Sequence, residues 1–79
     1  MHNIDENTLQ RLRAEYKKGA RVELIHMNDP HNKTLKAGEK GTVVAVDDIG
    51  TIHVRWDCGS NLGVAYGEDS CRVIKEAAR

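Results

Sequence analysis

GTVVAVDDIGTIHVRWD, residues Gly41 to Asp57, decides the fold. Its opening, Gly41 to Val46, is small or β-branched and apolar, the composition of an extended strand. Asp47-Asp48-Ile49-Gly50 follows, with acidic residues that favour a bend and a glycine free to take positive φ. From Thr51 to Trp56 the side chains alternate. Ile52, Val54 and Trp56 share one face, and Thr51, His53 and Arg55 the other. Alternation with period two is the signature of a half-buried strand, so the segment reads as an antiparallel hairpin.

The same period extends outward in both directions. Upstream, Val22 and Leu24 alternate with Arg21 and Glu23, giving a first strand that reaches about Met27. Asn28 to Gly38 is polar, holds the only proline, Pro30, and reads as a long loop. Downstream, Asp57-Cys58-Gly59-Ser60 is a turn of the Asx-x-Gly kind. Asn61 to Ala65 gives a fourth strand with Leu62 and Val64 inward, Tyr66 to Asp69 a tight connection, and Cys71 to Lys75 a last strand. Before all of these, Leu9, Leu12 and Tyr16 fall at i, i+3 and i+7, one stripe of a helix over residues 5–18. Asn3 or Asp5 suits its N-cap, and Gly19 suits its C′ position.

Five short strands, a long first loop and tight later connections describe a mainly β fold, an SH3-like five-stranded small barrel with one N-terminal amphipathic helix. Closing a small sheet removes exposed strand edges. The expected organisation is a helix over residues 1–19 docked on the barrel, the barrel over 20–75 and a frayed tail over 76–79, all one domain. The expected core is Val22, Leu24, Val44, Val46, Ile52, Val54, Trp56, Leu62, Val64 and Val73. Leu9, Leu12 and Tyr16 are expected to cover one open end.

Composition bounds the function. The 79 residues suffice for one small domain. Twelve Lys+Arg balance twelve Asp+Glu, a formal net charge of +0, which argues against a dedicated basic clamp on nucleic acid. Phe is absent, and one Trp and two Tyr are the only aromatics, so the core is aliphatic around a single indole. No apolar run approaches the roughly 20 residues of a membrane span. Met1 to Leu12 contains no apolar stretch of the signal-peptide kind, so a cytoplasmic location is expected, with Cys58 and Cys71 as reduced thiols.

Residues Gly19 to Pro30, Gly41-Thr42-Val43, Val46 to Asp57, Gly59 to Leu62 and Tyr66 to Asp69 carry a resemblance to a known group. The chain resembles small domain-of-unknown-function proteins carried by bacterial phages and conjugative elements, chiefly in Gram-positive gut bacteria. More distantly, the Gly-Thr-Val, Val-x-Trp-Asp and Gly-Ser elements resemble the SH3-like domain of Mind bomb ubiquitin ligases, a protein-interaction module. The closer resemblance implies an SH3-like fold and an accessory protein of a mobile element, with no assigned activity.

Two surfaces are candidates for function. The first joins Tyr66 to Asp47, Asp48, Glu68 and Asp69, an aromatic with acidic turns, suited to a protein or peptide partner bearing Lys or Arg. Asp57 is acidic too, but lies in a different turn. The second is basic: Arg11, Lys17, Lys18, Lys33, Lys36 and Lys40 on the helix and long loop, a nucleic-acid face if they converge. Residues 1–40 carry eight Lys+Arg against six Asp+Glu and residues 41–79 four against six, so the halves differ in sign only weakly. His26, His31, His53, Cys58 and Cys71 lack the CxxC or HxxxH spacing of a structural zinc site, so no metal and no cofactor is expected. There is no G-x-S-x-G, no phosphate-binding loop and no dinucleotide fingerprint, and a non-enzymatic role is expected.

Overall fold

A computed structural model of the chain describes residues 4–28 and 35–75. The element order is α1 (Glu6–Glu15), β1 (Arg21–His26), β2 (Lys40–Val46), β3 (Thr51–Trp56), β4 (Val64–Ala65) and β5 (Ser70–Val73). The five strands form one antiparallel sheet in the order β4-β3-β2-β1-β5. The fold is therefore mainly β with one N-terminal helix. β4 and β5 are neighbours in sequence but occupy the two opposite edges. Among the described residues the strand pairing ends at those edges and does not itself close the sheet.

Trp56 is 1% exposed and anchors the core with Val22, Leu24, Val43, Ile52, Val54 and Val64. Its ring lies on Gly41, the residue opposite it in β2. A Cβ at Gly41 would meet the indole Cε3 at 2.9 Å, Val54 Cγ1 at 2.6 Å and the Arg55 carbonyl at 2.8 Å. The glycine is there because the backbone must approach the indole closely.

Six of the ten expected core residues are buried: Val22, Leu24, Ile52, Val54, Trp56 and Val64. The other four depart for separate reasons. Val43 pairs with Val54 and Ala45 with His53, so Val44 has no opposite residue. Val43 faces inward by alternation from Gly41, at 1% exposure, so Val44 faces outward, at 43%, and this bulge leaves Ala45 outward as well. Val46 returns to the inner side but is only half-buried at the strand end. Val73 is exposed because β5 is an edge strand. Leu62 is half-buried, in a stretch that is not strand. The indole N–H of Trp56 donates to the Leu62 carbonyl at 2.8 Å, and the Leu62 N–H donates to Ser60 Oγ at 3.3 Å. Those groups serve side chains rather than the ladder, and β4 shrinks to Val64–Ala65. Leu35, at the end of the polar loop, is 2% exposed and joins the core unannounced.

The helix begins as expected. The Asp5 carboxylate accepts the Thr8 N–H at 2.7 Å, an N-cap that also holds the Asp5 pKa below its ordinary value. It ends at Glu15 with Tyr16 as C-cap, not at Lys18. Gly19 is not its C′ residue, because the sheet recruits this segment. The Gly19 N–H donates to the Val43 carbonyl at 2.8 Å, and the Val43 N–H to the Ala20 carbonyl at 2.9 Å. Leu9 and Tyr16 are buried and Leu12 half-buried, with Tyr16 and Leu12 packed into the main core.

Gly41→Ala is expected to destabilise the fold by about 1–3 kcal/mol, since the added methyl overpacks against backbone and indole. Urea denaturation followed by Trp fluorescence measures it. An unchanged midpoint would show that the indole does not sit on this glycine.

Candidate functional site

Three connections meet around Gly50, whose φ is +87°. A Cβ there would lie 2.7 Å from Ile4 Cδ1, 3.3 Å from Tyr66 Cβ and 3.6 Å from Leu12 Cδ1. The approach to the helix, the β2–β3 turn and the β4–β5 turn are thus in mutual contact. Arg13 fastens α1 to the β2–β3 turn through Asp48 at 2.7 Å and the Val46 carbonyl at 3.4 Å. The Asp48 side chain is 95% exposed, so solvent screens this pair and it adds little stability. Tyr16 fastens the other end of α1, its hydroxyl donating to the Cys71 carbonyl on β5 at 3.1 Å.

Between α1 and the β4–β5 turn lies an open groove of about 240 Å³. Leu12, Ile52 and Val64 give it apolar wall, and Glu15 and Asp69 are its two charged lining residues. A second recess of about 220 Å³ is lined by Thr8, Arg11, Leu12, Glu15 and Tyr66. Tyr66 lines both and is 47% exposed.

The acidic residues singled out in the sequence have distinct positions. Asp47 organises its own turn, accepting the Ile49 N–H at 3.1 Å and the Thr51 N–H at 2.9 Å and pairing with His53 Nε2 at 2.9 Å. Burial pushes the Asp47 pKa up, but the His53 bond and the two amides outweigh it and hold the carboxyl below its ordinary value. Asp48 pairs with Arg13. Asp69 accepts the Asn28 N–H at 2.7 Å and the Ala65 N–H at 3.0 Å, which joins the base of the long loop to the β4–β5 turn. Glu68 is exposed on that turn. Asp57 stands apart, bound through both oxygens by Arg21 at 2.9 and 2.6 Å. The Arg21 bonds hold its pKa down.

Thus Tyr66, Glu68 and Asp69 lie on one turn, with Asn28 tied to it and the Asp47–Gly50 turn touching it at Gly50. Sequence reasoning passed over Leu12 and Glu15 as site residues. Leu12 read as part of the helix's apolar stripe, and Glu15 was not singled out. The signal was their spacing from Arg11 and Thr8, which places all four on a common side of the helix.

The basic residues are dispersed. Arg11 stands in the recess beside Tyr66. Lys17 and Lys18 are exposed after the helix, and Lys36 is exposed at the loop's end. Lys40 starts β2 opposite Glu23. Lys33 lies outside the described residues. Among the described residues no three His, Cys, Asp or Glu are placed to hold a metal ion, and no helix is long and apolar enough to cross a membrane.

Fold and site together define a small β-sheet module with a helix laid over one end and an open, aromatic-edged groove beside it. The chain belongs to the family described as Domain of unknown function (DUF4314), whose family model matches residues 5–74. Comparison with curated proteins and with solved structures found no match.

The Tyr16–Cys71 contact has a pH signature. Burial pushes the Tyr16 phenol up from 10.0 to about 12 and the Cys71 thiol up from 9.0 to about 11. The folded state holds both protons more tightly than the unfolded chain does. Their contribution is full below about pH 9 and is lost as pH rises through about 12. Melting temperature is expected to fall across that window. Tyr16→Phe, weaker at neutral pH for want of its hydrogen bond, is expected to fall less steeply. An identical alkaline slope in the variant would refute the assignment.

Proposed function

We propose that this chain is a non-enzymatic protein- or peptide-binding module whose sheet wraps into an SH3-like barrel. The barrel reading is supported by the pairing order. β1 pairs with both β2 and β5, and a short turn links the two edge strands, β4 and β5. The helix bridges the same gap, since Tyr16 reaches β5 while Leu12 reaches Gly50 and lies with Tyr66 in both recesses.

The observation that carries the binding reading is the half-exposed Tyr66, standing between two recesses that share Leu12 and Glu15. Tyr and Leu offer apolar contact at low entropic cost, and Tyr is enriched at interface anchors. Glu15 is exposed, with no hydrogen-bond or ion-pair partner among the described residues, and Asp69 adds a second negative charge. A Lys or Arg stem laid on Tyr66 would bring its charged head to these carboxylates. The recesses, about 240 and 220 Å³, are open and fall short of the roughly 300–1,000 Å³ of small-molecule sites, which favours binding over catalysis. The sequence resemblance to phage-borne and conjugative-element proteins supports a role as an accessory factor of such an element.

The test is an NMR titration of the full chain with a basic peptide library and with single- and double-stranded DNA. Basic peptides are expected to shift the amides of Leu12, Glu15 and Tyr66. Tyr66→Ala is expected to weaken that binding about tenfold with little change in melting temperature. Shifts confined to Arg11–Lys18 and Lys33–Lys40 on adding DNA, with none near Tyr66 for any peptide, would make nucleic acid the partner instead.

A further inference from the structure

The bulge in β2 has a counterpart on the outer face of the hairpin. There, Val44 stands 43% exposed over a cleft of about 140 Å³ lined by Lys18, Gly19, Thr42, Val43, Val44 and Arg55. None of these residues lines the recesses beside Tyr66. Val44 faces outward by alternation after Val43, and the bulge leaves Ala45 outward beside it, so two successive residues of β2 are on the outer face. Two of the other five residues that line the cleft are cations. Lys18 and Arg55 are exposed and have no hydrogen-bond or ion-pair partner among the described residues. The nearest basic residue along the ladder behaves differently. Arg21 donates to Thr42 Oγ1 at 3.0 Å and is held by both oxygens of Asp57. No carboxylate lines the cleft. The site therefore presents an apolar surface between two uncompensated positive charges.

We infer that the cleft of Lys18, Val44 and Arg55 is a second interaction surface, which takes an acidic, apolar-flanked peptide segment of a partner protein. An apolar side chain of the partner covers Val44, and an adjacent Asp or Glu lies between the two cations. Complementary charge of this kind sets orientation and partner choice. A nucleic-acid backbone fits less well, because the cleft is mostly apolar and no aromatic ring lines it to stack a base. This surface does not depend on the reading of Tyr66.

The experiment titrates the full chain with a capped peptide carrying Leu-Glu-Glu, its Leu-Lys-Lys counterpart, its Ser-Glu-Glu counterpart and a short DNA duplex. The Leu-Glu-Glu peptide is expected to shift the amides of Gly19, Thr42, Val44 and Arg55 saturably. Arg55→Glu or Lys18→Glu is expected to weaken it about tenfold. Both positions are exposed, and retained melting temperature confirms that the variants fold. Loss of the leucine is expected to weaken binding as Val44→Ser does. Amides that stay unmoved at millimolar Leu-Glu-Glu peptide, that respond equally to Leu-Lys-Lys, or that move only with DNA would each overturn the inference.

Discussion

The fold depends on burying one indole. Without phenylalanine, the inner face of the sheet is built of valines, leucines and an isoleucine, and Trp56 is its largest fully buried side chain. Burying a tryptophan also buries its N–H, which must find an acceptor or be left unsatisfied at a cost of about 1–3 kcal/mol. The Leu62 carbonyl supplies that acceptor. Two consequences follow from this one requirement. The backbone opposite the ring must be glycine, and the chain after the turn at 57–60 must bend to the indole rather than pair along β3. The short β4 thus goes with the bond that satisfies Trp56, in a stretch where Asn61 and Gly63 also disfavour strand.

A five-stranded sheet whose consecutive strands sit at opposite edges leaves a gap that something must cover. α1 covers it with few contacts, each of a different kind. Tyr16 donates to a β5 carbonyl, Leu12 and Ile4 press on Gly50, and Arg13 reaches the β2–β3 turn. A ten-residue helix is marginal alone, so these contacts and the Asp5 cap must hold it. They leave α1 in touch with the turns at its ends while recesses remain beside Tyr66. The candidate site is the part of this seam that the helix does not fill.

What the sequence made legible follows the strength of its periodicity. β3 alternates one apolar with one polar residue, so its register has a single solution, and its bounds and inner face were readable. β2 offers Val43, Val44, Ala45 and Val46 in succession, and such a run does not specify which face is inner. Val43 is inner because it pairs with Val54, and the bulge that follows brings Val46 rather than Ala45 back inside, a long-range fact absent from the local pattern. Leu35 was hidden by its polar surroundings in the loop. The helix stop was hidden because Gly19 suits a C′ position as well as the hydrogen bond to the Val43 carbonyl that it makes. Tyr66 was legible as a candidate because aromatic residues are so scarce here. Glu15 was not, since its helical spacing from Thr8, Arg11 and Leu12 gains meaning only once Tyr66 is placed beside that face.

Charge shows the same gap between composition and structure. A net charge of +0 suggests a featureless surface, yet the balance is made of groups with different fates. Asp47 and Asp69 hold turns together, and Asp57 and Glu23 are bound by arginines across the sheet. Those charges shape the fold and are partly cancelled inside it. Glu15 near Tyr66, and Lys18 with Arg55 near Val44, have no such partners among the described residues. The field a partner meets comes mainly from the second group, because the opposite charges of an ion pair largely cancel each other at distances greater than their separation. A sum of zero therefore conceals charges without ion-pair partners among the described residues, Glu15 and Arg11 beside Tyr66 and Lys18 with Arg55 beside Val44, each set next to an exposed apolar residue that the core did not take.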